Sequence, residues 1–348
     1  MDNKLKFADS PKQVIGIGNA IVDLSIKISN NDFVKLNQQM PALSRGSMSL
    51  VDLPQLADIL SFKSSFHSTA GGSVANSLKI IASTGVESAF IGSVASDDLG
   101  KKFATSLANY NCQFYNYYPK ESAEKHSAVC AVLIDDDSER TMATYLGCAG
   151  QLANSNLDFG ASAVFSNWER KIFYLEGYLW DNHETIATIE NWLVQIKQRQ
   201  DLLAFSLSDN FCVKRKKQDF LKIISTQADI IFANHLEMMS LLDLEYFSIN
   251  NIAEFCNSFP QKLFAVTCGS DGSYIFYGNQ FLHSPAVANV DVVDLTGAGD
   301  AFAAGLIFGL VRNYDIAKAS KIANVFASRV IAKFGSELEQ EIINKIID

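Results

Sequence analysis

One segment combines the residue types that could bind and transfer an anion. Residues 292–306 read VVDLTGAGDAFAAGL, and this pattern predicts a strand, a glycine turn and a helix that begins at Asp300. The first turn of a helix carries unpaired N–H groups and a partial positive charge. Gly297 and Gly299 lack the Cβ atom that would keep a ligand at a distance. We therefore expect the backbone of Gly297, Ala298 and Gly299 to bind an anion, above all a phosphate.

The carboxylate of Asp300 is the unexpected part of this segment, because it would repel a bound phosphate. Its position makes sense if it takes a proton from a hydroxyl group that attacks the phosphate, since phosphoryl transfer otherwise requires little beyond positioning and charge stabilisation. The alternative is that Asp300 caps a buried helix and that the glycines fix the turn. The chain contains neither GxxxxGK[ST] nor a GxGxxG fingerprint after a strand, which argues against a P-loop enzyme and a dinucleotide-dependent dehydrogenase.

Polar residues also follow apolar strand patterns elsewhere. Asn19 and Asp23 come after VIGIG at residues 14–18. At the carboxyl end of a parallel strand they would face the ligand crevice of an α/β sheet. A carboxylate and an amide suit vicinal hydroxyl groups. Taken alone, each residue is also typical of a turn.

Two further motifs have both a functional and a structural interpretation. Asn234 and Glu237 stand three residues apart after DIIFA, so one helical turn would place both on one face, where they could order magnesium-bound water. The alternative is a helix cap with an acidic first turn. Gly71 and Gly72 precede a helical pattern and permit the backbone torsions of a hinge, although a strand-to-helix turn explains them equally well.

The elements that must position these residues belong to the α/β class. From residue 171 apolar strands alternate with helical patterns, which predicts a mainly parallel sheet covered on both faces. Residues 127–145 predict a hairpin with DDDSE as its turn. Residues 24–50 indicate short exposed strands and turns. We expect one domain over residues 1–348, with the β-rich pieces at about 24–50 and 112–148 forming a small separate sheet.

Composition limits the class of partner. The chain has 348 residues, of which 48% are apolar, and a net charge of −9. An acidic chain is poorly suited to nucleic acid, and the one compact basic cluster, KRKK at 214–217, indicates a solvated helix start. The six cysteines form no CxxC pair, so we expect them to be reduced and mostly buried in a cytoplasmic protein. Neither a signal peptide nor a membrane span is predicted.

The quoted segment also resembles a known signature. DLTGAGDAFAAGL is similar to the C-terminal motif of the ribokinase-like (PfkB) carbohydrate and nucleoside kinases, except that Leu295 stands where the family more often has a small residue. Further matches follow the family's order over about residues 14–335. They are Gly16-Ile17-Gly18-Asn19 with Asp23, Gly71-Gly72 with Asn76, Asn234-His235-Leu236-Glu237, Thr267-Cys268-Gly269 with Gly272, and Asn324 within KIANVFAS.

The resemblance implies a ribokinase-like fold, in which a mainly parallel central sheet with helices on both faces carries a small β-sheet lid. It implies ATP and Mg²⁺ as cofactors and leaves open a monovalent cation such as K⁺. It implies that Asn19, Asp23 and Asn76 bind the sugar hydroxyls and that Gly71 and Gly72 form the lid hinge. Asn234 and Glu237 would serve magnesium and phosphate. The nucleotide loop would consist of Thr267, Gly269 and Gly272, with Asn324 on the adenine side.

The resemblance also suggests that Arg140, at the end of the predicted hairpin, is a lid arginine that reaches the transferred phosphate. A guanidinium group there would stabilise developing charge. A solvated charge at a turn is the alternative interpretation.

The acceptor is less determined than the reaction. Family members phosphorylate adenosine and other nucleosides, ribose, fructose and sugar phosphates. A nucleoside site needs aromatic faces for the base, and Tyr178, Trp180 and Phe211 are candidates that could instead lie in the core. The insert at 24–50 and the segment ERTMATYLG resemble the adenosine kinase branch. We therefore expect conversion of adenosine to AMP. A ribokinase- or fructokinase-like sugar kinase, a catalytically silent binding relative, and a monomer or homodimer all stay open.

Overall fold

Two β-sheets organise the chain. A computed structural model describes residues 11–41, 43–62, 66–117, 126–137, 139–152 and 169–347. The strands are β1 Gln13–Ile17, β2 Ile21–Lys27, β3 Met48–Leu50, β4 His67–Ala70, β5 Glu87–Gly92, β6 Gln113–Asn116, β7 Ala128–Ile134, β8 Arg140–Tyr145, β9 Lys171–Glu176, β10 Leu202–Ser206, β11 Ile230–Asn234, β12 Leu263–Thr267, β13 Ser273–Tyr277 and β14 Gln280–Ser284.

The helices fill the connections between the strands. They are α1 Asn30–Gln39, α2 Leu53–Ser61, α3 Ser73–Ser83, α4 Asp98–Asn109, α5 His183–Gln198, α6 Asn210–Thr226, α7 His235–Leu241, α8 Ile249–Asn257, α9 Ala298–Val311, α10 Ile316–Val330 and α11 Gln340–Ile347. In the part of the chain that the structure describes, none of these helices has the length and apolar character needed to cross a bilayer.

The large sheet has the strand order β14-β13-β12-β11-β10-β9-β1-β5-β6. It is parallel from β6 to β12, and the β13–β14 hairpin continues it in the antiparallel sense. Side chains of alternate strand positions belong to two separate cores: Ile172 and Tyr174 pack in the core that includes α3, α9 and α10, whereas Phe173 and Leu175 pack in the core that includes α5 to α8. The predicted α/β sheet with helices on both faces is confirmed.

The small sheet has the order β3-β8-β7-β2-β4. Its composition differs from the prediction in three ways. β6 pairs with β5 and so belongs to the large sheet, β4 comes from outside the predicted pieces, and residues 24–50 contain helix α1 rather than only strands and turns. Helix α1 buries only Phe33 and Leu36, so its apolar repeat was too short to indicate a helix.

The predicted strand before the glycine turn is also wrong. All of residues 285–297 are described, and they form an irregular loop without a strand. Val292 and Val293 are exposed there, so their apolar character reflects neither a buried strand nor a sheet partner. Helix α9 begins at Ala298, two residues before the predicted start.

The ends of the parallel strands place most of the candidate residues at one edge. Asn19 follows β1, and Asn234 and Thr267 end β11 and β12, which are hydrogen-bonded neighbours. Because carboxyl ends of parallel strands share one edge of the sheet, these side chains border the same crevice. All six cysteines are free, five are buried and Cys268 is half-buried, as the sequence predicted.

Candidate active site

Helix α9 begins without a side-chain cap. Its N-cap is Gly297, with φ of 78°, and no described side chain caps this end. Most other described helices begin after a side chain that accepts a first-turn N–H, namely Ser29, Asp52, Asp97, Asp209, Asn234, Ser248 and Asp315. A Cβ atom on Gly299 would have open space around it. The first turn of α9 therefore presents backbone N–H groups to an incoming group, as an anion site requires.

The carboxylate of Asp300 lies against the first turn of α3. Ser73 Oγ donates to Asp300 Oδ1 at 2.6 Å, and Asn76 Nδ2 donates to Oδ2 at 3.0 Å. Ser77 Oγ donates to the Asp300 backbone carbonyl at 2.9 Å. Positions 73, 76 and 77 share one face of α3, so a single helix face holds Asp300 in place. The sequence drew attention to Asn76 but not to the two serines.

Burial and neighbouring groups act on the pKa of this carboxylate in opposite directions. Burial raises the pKa of Asp300, while the hydrogen bonds from Ser73 and Asn76 and the positive charge of Lys79 oppose that rise. Asn76 Oδ1 is buried and accepts no hydrogen bond from any residue that the structure describes. Because a buried acceptor is normally satisfied, this oxygen is suited to a donor that a ligand brings, such as a hydroxyl group.

Asp23 is the second carboxylate at the site. A Cβ atom on Gly71 would lie 2.2 Å from Asp23 Oδ2, so the carboxylate rests directly on the glycine backbone. Burial raises the pKa of Asp23 to about 7; the charge of Lys79 lowers it and that of Asp300 raises it further. Two carboxylates that repel each other in a crevice beside a glycine-rich turn are typical of a functional site.

Gly72 lies in the strand-to-helix turn between β4 and α3 and has a positive φ, whereas its role as a lid hinge stays a prediction. Its φ is 91°, and a Cβ atom there would lie 2.6 Å from the carbonyl oxygen of Asn19. Gly72 joins β4 of the small sheet to α3, and it lies against the turn that joins β1 to β2. The first two of the chain's crossings between the large and the small sheet, from β1 to β2 and from β4 to α3, therefore touch at this glycine.

A third buried acid, Glu176, supports this crossing and was missed in the sequence. Its carboxylate ends β9 and accepts hydrogen bonds from Asn19 N at 2.8 Å, Asn19 Nδ2 at 2.9 Å and Val74 N at 3.2 Å. Burial raises the pKa of Glu176 to about 7. The side-chain amide of Asn19 thus donates to Glu176, and its assignment to sugar hydroxyls stays a prediction. The sequence signal that could have indicated Glu176 is the acidic residue in LEG, at the end of an apolar strand.

Arg140 reaches the loop that precedes α9. Its Nη2 lies 2.7 Å from Asp294 Oδ2, and its Nη1 donates to the hydroxyl of Thr296. Burial would raise the pKa of Asp294, but N–H donors from Gly335 and Thr296, together with Arg140, hold it below its usual value. Arg140 is therefore not a solvated turn charge. Its guanidinium is fixed next to the turn that begins at Gly297.

The predicted nucleotide loop follows β12. Thr267 ends the strand, and Gly269 starts a short turn with φ of 58°. Gly272 has φ of 89°, and a Cβ atom there would lie 2.2 Å from the carbonyl oxygen of Ser284. Only glycine fits this position, because both the backbone conformation and the space exclude a side chain.

Asn324 in α10 packs against the same part of the chain. Its Nδ2 donates to Ser284 O at 2.9 Å and to Pro285 O at 3.1 Å. These bonds hold the end of β14, which Gly272 also contacts, in place against α10. The side-chain amide donates to backbone, so the predicted contact with adenine stays a prediction.

Asn234 and Glu237 form a reciprocal helix cap. Glu237 N donates to Asn234 Oδ1 at 2.9 Å, and Glu237 accepts from Asn234 N at 3.0 Å and from Asn234 Nδ2 at 2.6 Å. Burial raises the pKa of Glu237 to about 7. Among the described residues no three His, Cys, Asp or Glu side chains are grouped to hold a metal. The pair thus forms the helix cap that was the alternative interpretation, and its assignment to magnesium and phosphate stays a prediction.

The aromatic candidates lie in different environments. Trp180 is buried in the core, packed edge-to-face on two phenylalanines, so it is not available to a ligand. Tyr178 has a pKa well above its usual value because of burial and the nearby carboxylate of Asp209. Phe211, in the first turn of α6, is 46% exposed, with Lys214 Nζ 5.9 Å from its ring centroid.

A carboxylate at an uncapped helix N-terminus, with an arginine beside the preceding loop, provides a base, N–H donors and a positive charge, which are the parts that phosphoryl transfer uses. The sequence profile of the pfkB family carbohydrate kinases matches residues 46–342, and the chain belongs to this family. It is a kinase of the sugar and nucleoside group. The confirmed resemblance therefore covers both the fold and the class of reaction.

Relatives of the chain include sugar and nucleoside kinases. The structure of an adenosine kinase from Sinorhizobium meliloti is 29% identical, covers 97% of this chain and 98% of its own, and has a TM-score of 0.83. A probable sugar kinase from Rhizobium etli is 27% identical, with the same coverage and TM-score. An ATP-dependent ribose-1-phosphate kinase from Halopiger xanaduensis is 26% identical over 77% of this chain and 82% of its own.

Proposed function

We propose that this kinase transfers the γ-phosphate of ATP to a primary hydroxyl group of a purine nucleoside, with adenosine as the acceptor and AMP as the product. The observation that carries the proposal is the setting of Asp300. Ser73 and Asn76 orient its carboxylate at the open first turn of α9, at 2.6 and 3.0 Å. A base is required where a hydroxyl attacks a phosphate, and a binding protein would have no use for one.

The acceptor side is formed by the small sheet and α3. In the proposed complex Asp23 and Asn76 hold the ribose, with Asp23 accepting from a hydroxyl and the vacant acceptor Asn76 Oδ1 taking a second one. Asp300 then takes the proton of the attacking hydroxyl. The small sheet acts as the lid that excludes water, which limits wasteful hydrolysis.

The phosphate side is formed by the last part of the chain. Backbone N–H groups of Gly297–Gly299 receive the phosphate oxygens, and Arg140, fixed beside them, balances the charge that shifts during transfer. Bound magnesium would neutralise the ATP phosphates, with Glu237 ordering its water. Gly269 and Gly272 line the nucleotide, and Asn324 holds the segment beside it.

The choice of a nucleoside rests on the 29% identical adenosine kinase and on the aromatic side chains of Tyr178 and Phe211. A simple sugar or sugar phosphate is the second candidate, because the names of the Rhizobium etli and Halopiger xanaduensis relatives favour it. Both candidates use the same base and the same phosphate site.

The test is ADP release from magnesium-ATP with adenosine, guanosine, inosine, ribose, fructose and ribose 1-phosphate as acceptors, with K⁺ or Na⁺ present. Turnover with adenosine that disappears in Asp300→Asn would support the proposal. Turnover with a sugar alone would keep the mechanism and replace the acceptor. If no acceptor is turned over while adenosine binds in calorimetry, the chain is a silent binding relative and the proposed kinase activity is wrong.

A further inference from the structure

Lys79 is a buried cation that the mechanism above does not use. It lies in α3 with 1% of its surface exposed. Its Nζ donates to the carbonyl oxygen of Ala70 at 2.8 Å and lies 3.3 Å from Glu337 Oε1. A buried ammonium group is unfavourable unless nearby charges and dipoles compensate it. The buried ammonium group of Lys79 therefore suggests that its charge acts on other charged groups of the interior.

Its position connects it with both acids of the site. Lys79 follows Asn76 by one helical turn, and Asn76 donates to Asp300. On the other side Lys79 binds Ala70, the residue before Gly71, on which the carboxylate of Asp23 rests. The ammonium group is thus bound to the residue before Gly71, and it lies one helical turn beyond the residue that donates to Asp300.

We propose that Lys79 is a positioning residue of the site: its buried ammonium group favours the ionised forms of Asp23 and Asp300 against the burial that opposes them, and Glu337 adjusts the strength of that field. The inference rests on the proposed function in that ionised Asp300 is the base. Attraction between opposite charges is poorly screened in a buried region, so it can shift the ionisation of a nearby carboxylate.

Other charged and titratable groups face the same region and contribute to the field. They are Tyr174 and Glu176 on β9, Arg140 on β8, Cys130 on β7, Cys112 before β6, and Tyr110 after α4. Of these, Arg140 acts on Asp23 with the same sign as Lys79, and Glu176 and Asp300 repel each other. Two positive charges, Lys79 and Arg140, therefore act on Asp23 against the negative charge of Asp300.

Glu337 is the solvent-exposed partner of the buried Lys79. Its side chain is 45% exposed, and it lies in the wall of a cavity of about 470 Å³ together with Tyr110 and Lys333. The carboxylate of Glu337 partly neutralises Lys79 from outside. Removing either partner should therefore move the ionisation of Asp300, in opposite directions.

The experiment is a titration of the full-length protein, labelled with ¹³C at the aspartate side-chain carboxyl carbons and without substrates. The Asp300 and Asp23 signals are assigned by their loss in Asp300→Asn and Asp23→Asn. Lys79→Met should raise the pKa of Asp300 by about one pH unit, and Glu337→Gln should lower it by a smaller amount. Lys101→Met, which removes an exposed lysine of α4, should leave it unchanged.

The outcomes separate this inference from the proposed function. Opposite shifts in the two variants support it, since loss of packing would not reverse sign. Unchanged pKa values, or shifts of the same sign in both variants, overturn it even if the enzyme phosphorylates adenosine. If the chain proves to lack kinase activity, the titration still decides whether Lys79 sets the ionisation of the two acids. Should Lys79→Met fail to fold, Glu337→Gln alone decides by the sign of its shift.

Discussion

The guanidinium group of Arg140 lies 2.7 Å from the carboxylate of Asp294 and joins the small sheet to the loop before helix α9. Asp294 is buried and also accepts from backbone N–H groups of Thr296 and Gly335 at 2.9 Å. An arginine held by a fixed carboxylate is presented in one orientation. The ion pair therefore places a positive charge of the lid next to the proposed phosphate site.

Replacing Arg140 should impair turnover. We expect Arg140→Met to lower kcat by at least about 100-fold, because the charge that balances the phosphate is lost. Arg140→Lys should recover only part of kcat, since one ammonium group cannot reproduce both contacts. Steady-state kinetics with the acceptor that the ADP-release assay identifies would measure this.

Arg45→Met is the matched control. Arg45 is also paired with carboxylates of the β7–β8 hairpin, with Nε 2.5 Å from Asp135 and Nη2 2.6 Å from Asp137. Its loss removes an ion pair of the same kind away from the phosphate. An equal fall in kcat in both variants would contradict a specific role for Arg140.

Asp300→Asn should keep the fold and abolish most of the activity. The amide retains an oxygen that accepts from Ser73 or Asn76, but it cannot take a proton. We expect kcat to fall by about 100-fold or more, the usual contribution of a general base. Ser73→Ala, which removes a hydrogen bond to the carboxylate, should give a smaller loss. Near-normal kcat in Asp300→Asn would remove this residue from the mechanism.

The buried acids predict an unusual dependence of stability on pH. Burial raises the pKa values of Asp23, Glu176 and Glu237 to about 7, whereas they titrate near 4 when unfolded. Between those values the folded state binds more protons than the unfolded state, so stability falls as pH rises. We expect the free energy of unfolding to decrease from pH 5 to pH 7.5, by on the order of 1 kcal/mol per group.

Glu176→Gln isolates one of these contributions. The amide keeps an acceptor for Asn19 but does not titrate, so the decrease in stability between pH 5 and pH 7.5 should become smaller. Denaturant unfolding at several pH values would measure it. Glu190→Gln, on the exposed face of α5, should leave the slope as it is. The same slope in the wild type and Glu176→Gln would show that Glu176 does not titrate in this range.

Gly72 should tolerate no side chain. A Cβ atom there would lie 2.6 Å from a backbone oxygen, in a conformation with φ of 91°. We expect Gly72→Ala to destabilise the protein by about 2 kcal/mol or more. Gly85→Ala has a similar φ of 79° but open space, and should lose only about 1 kcal/mol. Equal losses in urea unfolding would mean that the contact with Asn19 is unimportant.

The sequence predicted the parts of the structure that depend on local pattern. The alternation of strands and helices after residue 171 and the turn at Gly297 follow from apolar spacing and glycine. The strand predicted before that turn is absent, because Val292 and Val293 are 58% and 45% exposed and have no strand partner. Apolar residues predict a strand only where a neighbouring strand buries them.

The supporting residues of the site could not be predicted in the same way. Lys79 lies within an ordinary helical pattern, and its ion-pair partner Glu337 is 258 positions away in the sequence. Glu176 ends a strand like several other polar residues, and only the contacts with Asn19 and Val74 distinguish it. Such roles depend on long-range packing, which spacing along the chain does not contain.

The hydrogen bonds from Ser73 and Asn76 to Asp300 span 227 and 224 positions of sequence. The proposed ribose-binding residues Asp23 and Asn76 lie in the first quarter of the chain, whereas the phosphate turn belongs to its last fifth. During synthesis the acceptor pocket would therefore emerge from the ribosome well before the base exists. A chain cut short after β14 would retain residues that hold an acceptor yet could not phosphorylate it.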